Sequence, residues 1–239
     1  MFASITPYAG SQPFNDWFAP DTTQRHALGL QITAVDNFWG AGKFMYIKSN
    51  DAIVKGSLVA WDELFQGVLL PSAVTQGFPF GVAMAPMASG TYGWIQLEGR
   101  AVYKTNATVA ADGVVAVAAA GILGATATGK QLVGIRNRKS ATGTESILNV
   151  NTTNTSGILF ATGGFDGAFL GAALSGTGIP ASAIVVKLGS DGKTIYSGTT
   201  IGGAADKLAT ATGTITLTVT YTGYGSGLIN NPTCLQIVT

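Results

Sequence analysis

The chain has 239 residues, enough for one large domain or two smaller ones and for burial of about 70% of the surface its unfolded form exposes. Only 10% of the residues are charged, against roughly 25% in an average soluble protein, while 46% are hydrophobic, so little charge is available to cover a lone monomer and a homo-oligomer is expected. Thirteen Lys and Arg against 12 Asp and Glu leave no basic excess for a nucleic-acid partner, and one cysteine with one histidine rules out an internal disulfide and a His/Cys metal cluster within one chain.

Residues 1–28 hold Pro7, Pro13 and Pro20 among the aromatics Phe2, Tyr8, Phe14, Trp17 and Phe18, with neither a helical nor a strand period. They read as an extended arm. Three large aromatics within five residues are costly to leave in water, so Phe14, Trp17 and Phe18 are candidate interface residues, packing on their own domain or on a neighbour. No Lys or Arg precedes Arg25, so the charged region of a signal peptide is missing and synthesis in the cytoplasm is expected. Residues 113–129 and 167–186 are uncharged, but the first stretch is short and rich in Ala, Gly and Thr, and Gly176 to Pro180 interrupt the second. No membrane partner is expected from them.

Residues 29–150 carry a succession of short strand patterns. Phe44, Tyr46 and Ile47 lie between Gly40-x-Gly42 and the turn-favouring Ser49-Asn50-Asp51; Ile53-Val54, Leu58 to Trp61, Val68 to Leu70, Leu132 to Ile135 and Ile147 to Val150 come next. The strongest is the run after the Ser89-Gly90-Thr91 turn. There Ile95, Leu97, Gly99, Ala101 and Tyr103 share one face and Gln96, Glu98, Arg100 and Lys104 the other, with Gly99 marking a bulge. Asp112-Gly113 reads as a hairpin turn. The expected fold class is all-β, a small antiparallel β-barrel over residues 29–150 completed by the strand in residues 226–239.

Polar residues Asn151 to Ser156 read as a linker to a second unit, residues 151–225, an inserted β-sandwich-like domain. It has a hairpin at Asp191-Gly192 and a strand alternating Ile215, Leu217, Val219 and Tyr221 inward against Thr214, Thr216, Thr218 and Thr220 outward. Cys234 falls in an apolar terminal strand as a small core residue.

Chemical motifs are weak. Gly124 to Lys130 matches the opening of a phosphate-binding loop, but Gln131 stands where Ser or Thr is needed and a strand pattern comes where a helix should open. Gly176 to Ala181 mimics a dinucleotide fingerprint whose helix Pro180 forbids. His26 lies in the arm with no nucleophile elbow to serve, and Asp62-Glu63, read as strand neighbours, point to opposite faces. Arg136-Asn137-Arg138-Lys139 reads as a solvated loop. No catalytic residue, cofactor or metal is expected.

Tyr92-Gly93-Trp94-Ile95-Gln96-Leu97-Glu98-Gly99-Arg100-Ala101-Val102, with Phe80 to Ala83, Trp39 to Lys48 and Gly56 to Val59, resembles the core strands of head decoration (cement) proteins of tailed bacteriophages. The resemblance covers roughly half the chain. It implies a non-enzymatic virion protein, made in the host cytoplasm, that sits on the capsid surface as a trimer and bridges subunits of the major capsid protein. Two other readings stand beside it. One is a carbohydrate-binding or adhesive module of a phage tail or fibre, with Tyr196, Tyr221, Tyr224, Phe160, Phe165 and Phe169 as candidate platforms; the other is a hydrolase using distant carboxylates.

Overall fold

A computed structural model of the protein describes residues 3–4, 20–36, 40–72, 78–106, 109–110, 112–125, 131–138, 142–165, 170–189, 191, 193–201 and 203–235. The fold is all-β, as expected, and the described residues contain no helix. In chain order the strands are β1 (Ala3–Ser4), β2 (Gln31–Asp36), β3 (Gly40–Ser49), β4 (Leu58–Trp61), β5 (Gln66–Leu69), β6 (Phe80–Ala83), β7 (Tyr92–Lys104), β8 (Val115–Ala119), β9 (Ile122–Ala125), β10 (Gln131–Asn137), β11 (Thr142–Thr152), β12 (Ile158–Ala161), β13 (Ala173–Ser175), β14 (Ala183–Leu188), β15 (Thr194–Gly198), β16 (Gly213–Thr222) and β17 (Tyr224–Leu235). They fall into two compact units, one centred on Gly143–Thr222 and the other on Phe2–Val35, Trp39–Thr142 and Gly223–Thr239.

The larger unit is a nine-stranded sheet ordered β1-β2-β3-β5-β4-β6-β7-β17-β10, with β8 and β9 as a separate hairpin. Because β7 also pairs with β3, strands β3, β5, β4, β6 and β7 close into a ring of pairings. The side chains sort accordingly. Met45 and Ile47 of β3, Val59 of β4, Leu69 of β5, Ala83 of β6 and Ile95 and Leu97 of β7 form one cluster, drawn from every strand of the ring. A second joins Leu58, Ala60, Phe80 and Val82 to Ala101, Tyr103, Val115, Val117, Leu123, Leu132 and Ile229. The third joins Ile32 and Ala34 to Phe44, Tyr46, Met84 and Trp94, with Leu28 and Leu30 packed against it.

Strand β7 therefore takes part in all three cores, which a single buried face does not describe. Ile95 and Leu97 lie in the first cluster, Ala101 and Tyr103 in the second and Trp94 in the third. The change occurs at Gly99, which has φ +101° beside a register shift between Lys43 and Phe44 of β3. A Cβ at Gly99 would run into the Ala41 carbonyl oxygen, so the bulge brings the two backbones closer than any side chain allows. Gln96, expected to face solvent, is only 3% exposed. Its Nε2 donates to the carbonyl oxygens of Glu98 (3.0 Å) and Arg100 (2.9 Å), so the buried amide finds its acceptors on its own strand, on either side of Gly99. Glu98 and Arg100 are half-buried rather than exposed.

Two further expectations are corrected. Asp112-Gly113 is not a hairpin turn: the partner of β8 is β9, joined through Ala120-Gly121, and Asp112 instead accepts from Arg136 and Arg138. Ile147 to Val150 belong to β11, which pairs with β12 through Val150↔Ala161, so they add to the second unit and not to the first.

The second unit is a closed six-stranded barrel in the order β11-β12-β15-β14-β13-β16, where the sequence suggests a sandwich. Val150, Leu159, Ala161, Leu174, Ala183, Val185, Ile195, Leu217 and Val219 are buried. Leu217 and Val219 lie inward on β16, with Thr214 and Thr216 exposed, as the alternation predicts. The Asp191 carboxylate caps the β14–β15 hairpin by accepting from the Lys193 and Thr194 amides (both 2.9 Å) and the Thr194 hydroxyl (2.6 Å).

Candidate interaction surfaces

Three places in the larger unit gather polar or exposed apolar side chains, and the first is built by residues 20–30 against β3 and β7. Asp21 forms an isolated bridge with Tyr92, exchanging both backbone hydrogen bonds (2.8 and 2.9 Å). Its carboxylate accepts from the Tyr46 hydroxyl (2.8 Å) and pairs with the Arg25 guanidinium (2.9 Å). The His26 ring stands edge-on to Tyr46 at 5.0 Å and tilted against Trp94 at 5.4 Å, and Tyr46 stacks with Tyr92 at 6.2 Å. Burial pushes the Tyr46 phenol above its ordinary range, with Asp21 adding to the rise. His26 is thus a packed histidine, and the described part of the arm folds onto its own sheet.

The outer side of β7, β17 and β10 is the second place. Ala101, Tyr103, Ile229 and Leu132 point into the core, so their neighbours on each strand point away. In register across the three strands, Arg136 lies opposite Leu228 and Leu228 opposite Arg100. Leu228 is 51% exposed and Val133 of β10 is 41% exposed. Arg136 Nε (2.9 Å) and Arg138 Nη1 (3.3 Å) share one oxygen of Asp112, and the Arg138 amide donates to the Ser226 carbonyl (2.8 Å). Arg136 and Asn137 are thus strand residues, contrary to the solvated-loop expectation. Asn137 is buried, accepting from the Tyr103 hydroxyl at 3.0 Å and donating to the Ala110 carbonyl at 2.8 Å. This row joins residues far apart in sequence, so only the β7–β17–β10 pairing reveals it.

The third is the tip between β4 and β5. Asp62-Glu63 is a turn and not a strand pair: Asp62 Oδ1 accepts from the Leu64 and Gln66 amides, both at 2.9 Å, and Phe65 takes a left-handed φ of 57°. The turn consumes the Asp62 side chain and leaves Leu64 65% exposed at its end.

The smaller unit has an apolar patch on β12, Ile158 and Phe160, beside Tyr196 of β15. Lys187 Nζ lies 5.3 Å from the Tyr196 ring centroid, so a cation already occupies one face of that ring. Phe165 is buried, and Tyr224 is half-buried in the larger unit. Phe169, like the candidate interface residues Phe14, Trp17 and Phe18, lies outside the described residues.

The nucleotide-like motifs lead nowhere chemically. Gly124 and Ala125 end β9, residues 126–130 lie outside the described residues, and Gln131 opens the strand β10; Gly176 to Ala181 lead into β14. Among the described residues no cluster of His, Cys, Asp and Glu is placed to hold a metal ion. Burial brings the Lys55 ammonium down to about 8, and the other distinctly shifted groups are the packed residues named above and the hydrogen-bonded carboxylates Asp191 and Asp206. Compared with known proteins, the chain matches no family model, no curated protein and no solved structure.

Proposed function

We propose that the protein is a non-enzymatic structural component of a virion that decorates the outside of a phage capsid and stabilises it by bridging subunits of the major capsid protein. The observation that carries this reading is the resemblance of four sequence stretches to head decoration proteins, together with the arrangement of the two longest. Residues 42–48 and 92–99 are hydrogen-bonded partners, from Gly42↔Gly99 to Lys48↔Tyr92, so the resembling motifs make one continuous piece of the ring. Low charge and exposed Leu64, Leu228 and Val133 support a protein that works against other proteins. Mechanically, each bridge adds binding free energy available only in the assembled shell, which shifts the shell away from opening. Electron microscopy of virions labelled for this chain tests the proposal. Label spread over the head is the expected result; label confined to the tail ends it.

A carbohydrate-binding module of a tail or fibre is the second reading, and the exposed Ile158–Phe160 patch favours it. Lys187 over Tyr196 counts against it, since a sugar would have to displace the ammonium to stack on that face. Specific binding on a glycan array, lost on Phe160→Ala, would establish this second reading.

A further inference from the structure

Two surfaces of the larger unit carry inverse patterns. On the β7–β17–β10 face, exposed Leu228 is flanked in register by Arg136 and Arg100, with Val133 and Arg138 beside them. At the β4–β5 tip, exposed Leu64 comes directly after Asp62 and Glu63, and among the described residues neither carboxylate forms an ion pair. On the face, one carboxylate oxygen of Asp112 serves both Arg136 and Arg138, each with five N–H donors, so the charge of those two guanidinia is only partly answered. The tip is held in shape before it meets anything, by the two amide bonds to Asp62 and the 3.0 Å bond from the Phe65 amide to the Asp62 carbonyl.

We propose that the Asp62-Glu63-Leu64 tip of one copy docks on the β17–β10 face of the next, with Leu64 against Leu228 and the Glu63 carboxylate at Arg136 and Arg138. A polyanion such as duplex nucleic acid fits the face less well, because its phosphates would lie over two exposed aliphatic side chains. A carboxylate-flanked leucine matches both the apolar centre and the charged flanks, and arginine is a favoured interface anchor. Tip and face are different surfaces, so the contact is head-to-tail: it leaves a tip and a face unused at the ends and closes only as a ring. The inference deepens the assembly role proposed above by naming the surface of self-association. It needs no capsid, so failure of the virion labelling would leave it standing.

Sedimentation of the full chain tests it with two exposed substitutions, Glu63→Arg and Arg136→Glu, both at positions where surface changes spare the fold. Wild-type protein should associate with rising concentration and less so with added salt. Each variant should associate about tenfold more weakly or worse, with melting unchanged in Glu63→Arg and a cooperative transition kept in Arg136→Glu, which gives up the exposed pair with Asp112. An equimolar mixture of the two should recover association, because the intact face of one meets the intact tip of the other and the two reversed charges complement each other in turn, and the double variant should recover it for the second of these reasons. Leu64→Ser is a second probe that leaves charge untouched and should also weaken assembly. A wild-type chain that stays monomeric at all concentrations, or variants that assemble as the wild type does, would overturn the proposal. So would salt-sensitive binding of duplex DNA by a monomeric wild type, lost on Arg136→Glu, which would assign the face to a polyanion.

Discussion

Leu97 and Arg100 stand three residues apart on β7 and should answer truncation to very different extents. Leu97 is 3% exposed inside the ring, and Leu97→Ala removes packed methyl groups at a cost of about 2–5 kcal/mol. Arg100 is half-buried on the outer side, and Arg100→Ala should cost under about 1 kcal/mol. The reverse ranking in denaturant melts would mean that the strand's faces are exchanged. Gln96→Ala should rank between them at about 1–3 kcal/mol, since it removes two hydrogen bonds made by a buried side chain. His26 adds a pH dependence. Burial holds its imidazole below the ordinary 6.5 against the pull of Asp21, with Arg25 helping to lower it. The folded form then takes up a proton less readily than the unfolded chain, so the contribution is complete above about 6.5 and fades as pH falls through the lower folded-state value. Urea midpoints at pH about 7 and about 5 should therefore differ more in the wild type than in His26→Phe; equal differences would show that His26 titrates in the folded chain as it does in the unfolded one.

At the scale of elements, period-two patterns located β3, β4, β7, β10 and β16 because alternation is a local property of the chain. What they could not show is which core a face serves. Ile95 and Tyr103 have the same parity yet lie in different clusters, a division set by the closure of β7 on β3 and by the bulge at Gly99. The basic row and the acidic tip were hidden for the same reason: Arg100 and Arg136 meet only across β17, and Asp62-Glu63 becomes a turn only when β4 pairs with β5. Asn151 and Thr152 look like linker residues by composition, but the chain extends β11 through them, with the Thr152 hydroxyl donating to Ala211 (2.9 Å). We propose that the barrel is an insertion that folds by itself. Its strands pair only with one another, while β17 returns to β7 and β10. Excising Gly143–Thr222 and joining the ends with a short Gly/Ser linker should leave a remainder with a cooperative thermal transition, and the excised barrel should show its own. A remainder that cannot fold would refute independent folding.

For the whole molecule the open question is what the arm does in an assembly. Its described end is fastened: Asp21 bridges Tyr92, and Leu28 and Leu30 pack on the Tyr46–Trp94 cluster, so residues 20–30 belong to the larger unit. We propose that the preceding aromatics, Phe14, Trp17 and Phe18, are a main contact with a neighbouring subunit or the capsid. Each can bury roughly 150–250 Å². At about 25 cal/mol per Å², three such anchors contribute several kcal/mol before the cost of ordering the arm, enough to decide assembly. Deleting residues 1–19 spares the Asp21 bridge, takes from the sheet only the two-residue edge strand β1, and should leave a folded chain of near-normal melting temperature that no longer binds purified capsids. If the arm instead packs only on its own sheet, the same deletion lowers the melting temperature and the folded fraction still binds. The two outcomes are read from two measurements on one truncated protein, and full-affinity binding by that protein would remove the arm from the interface.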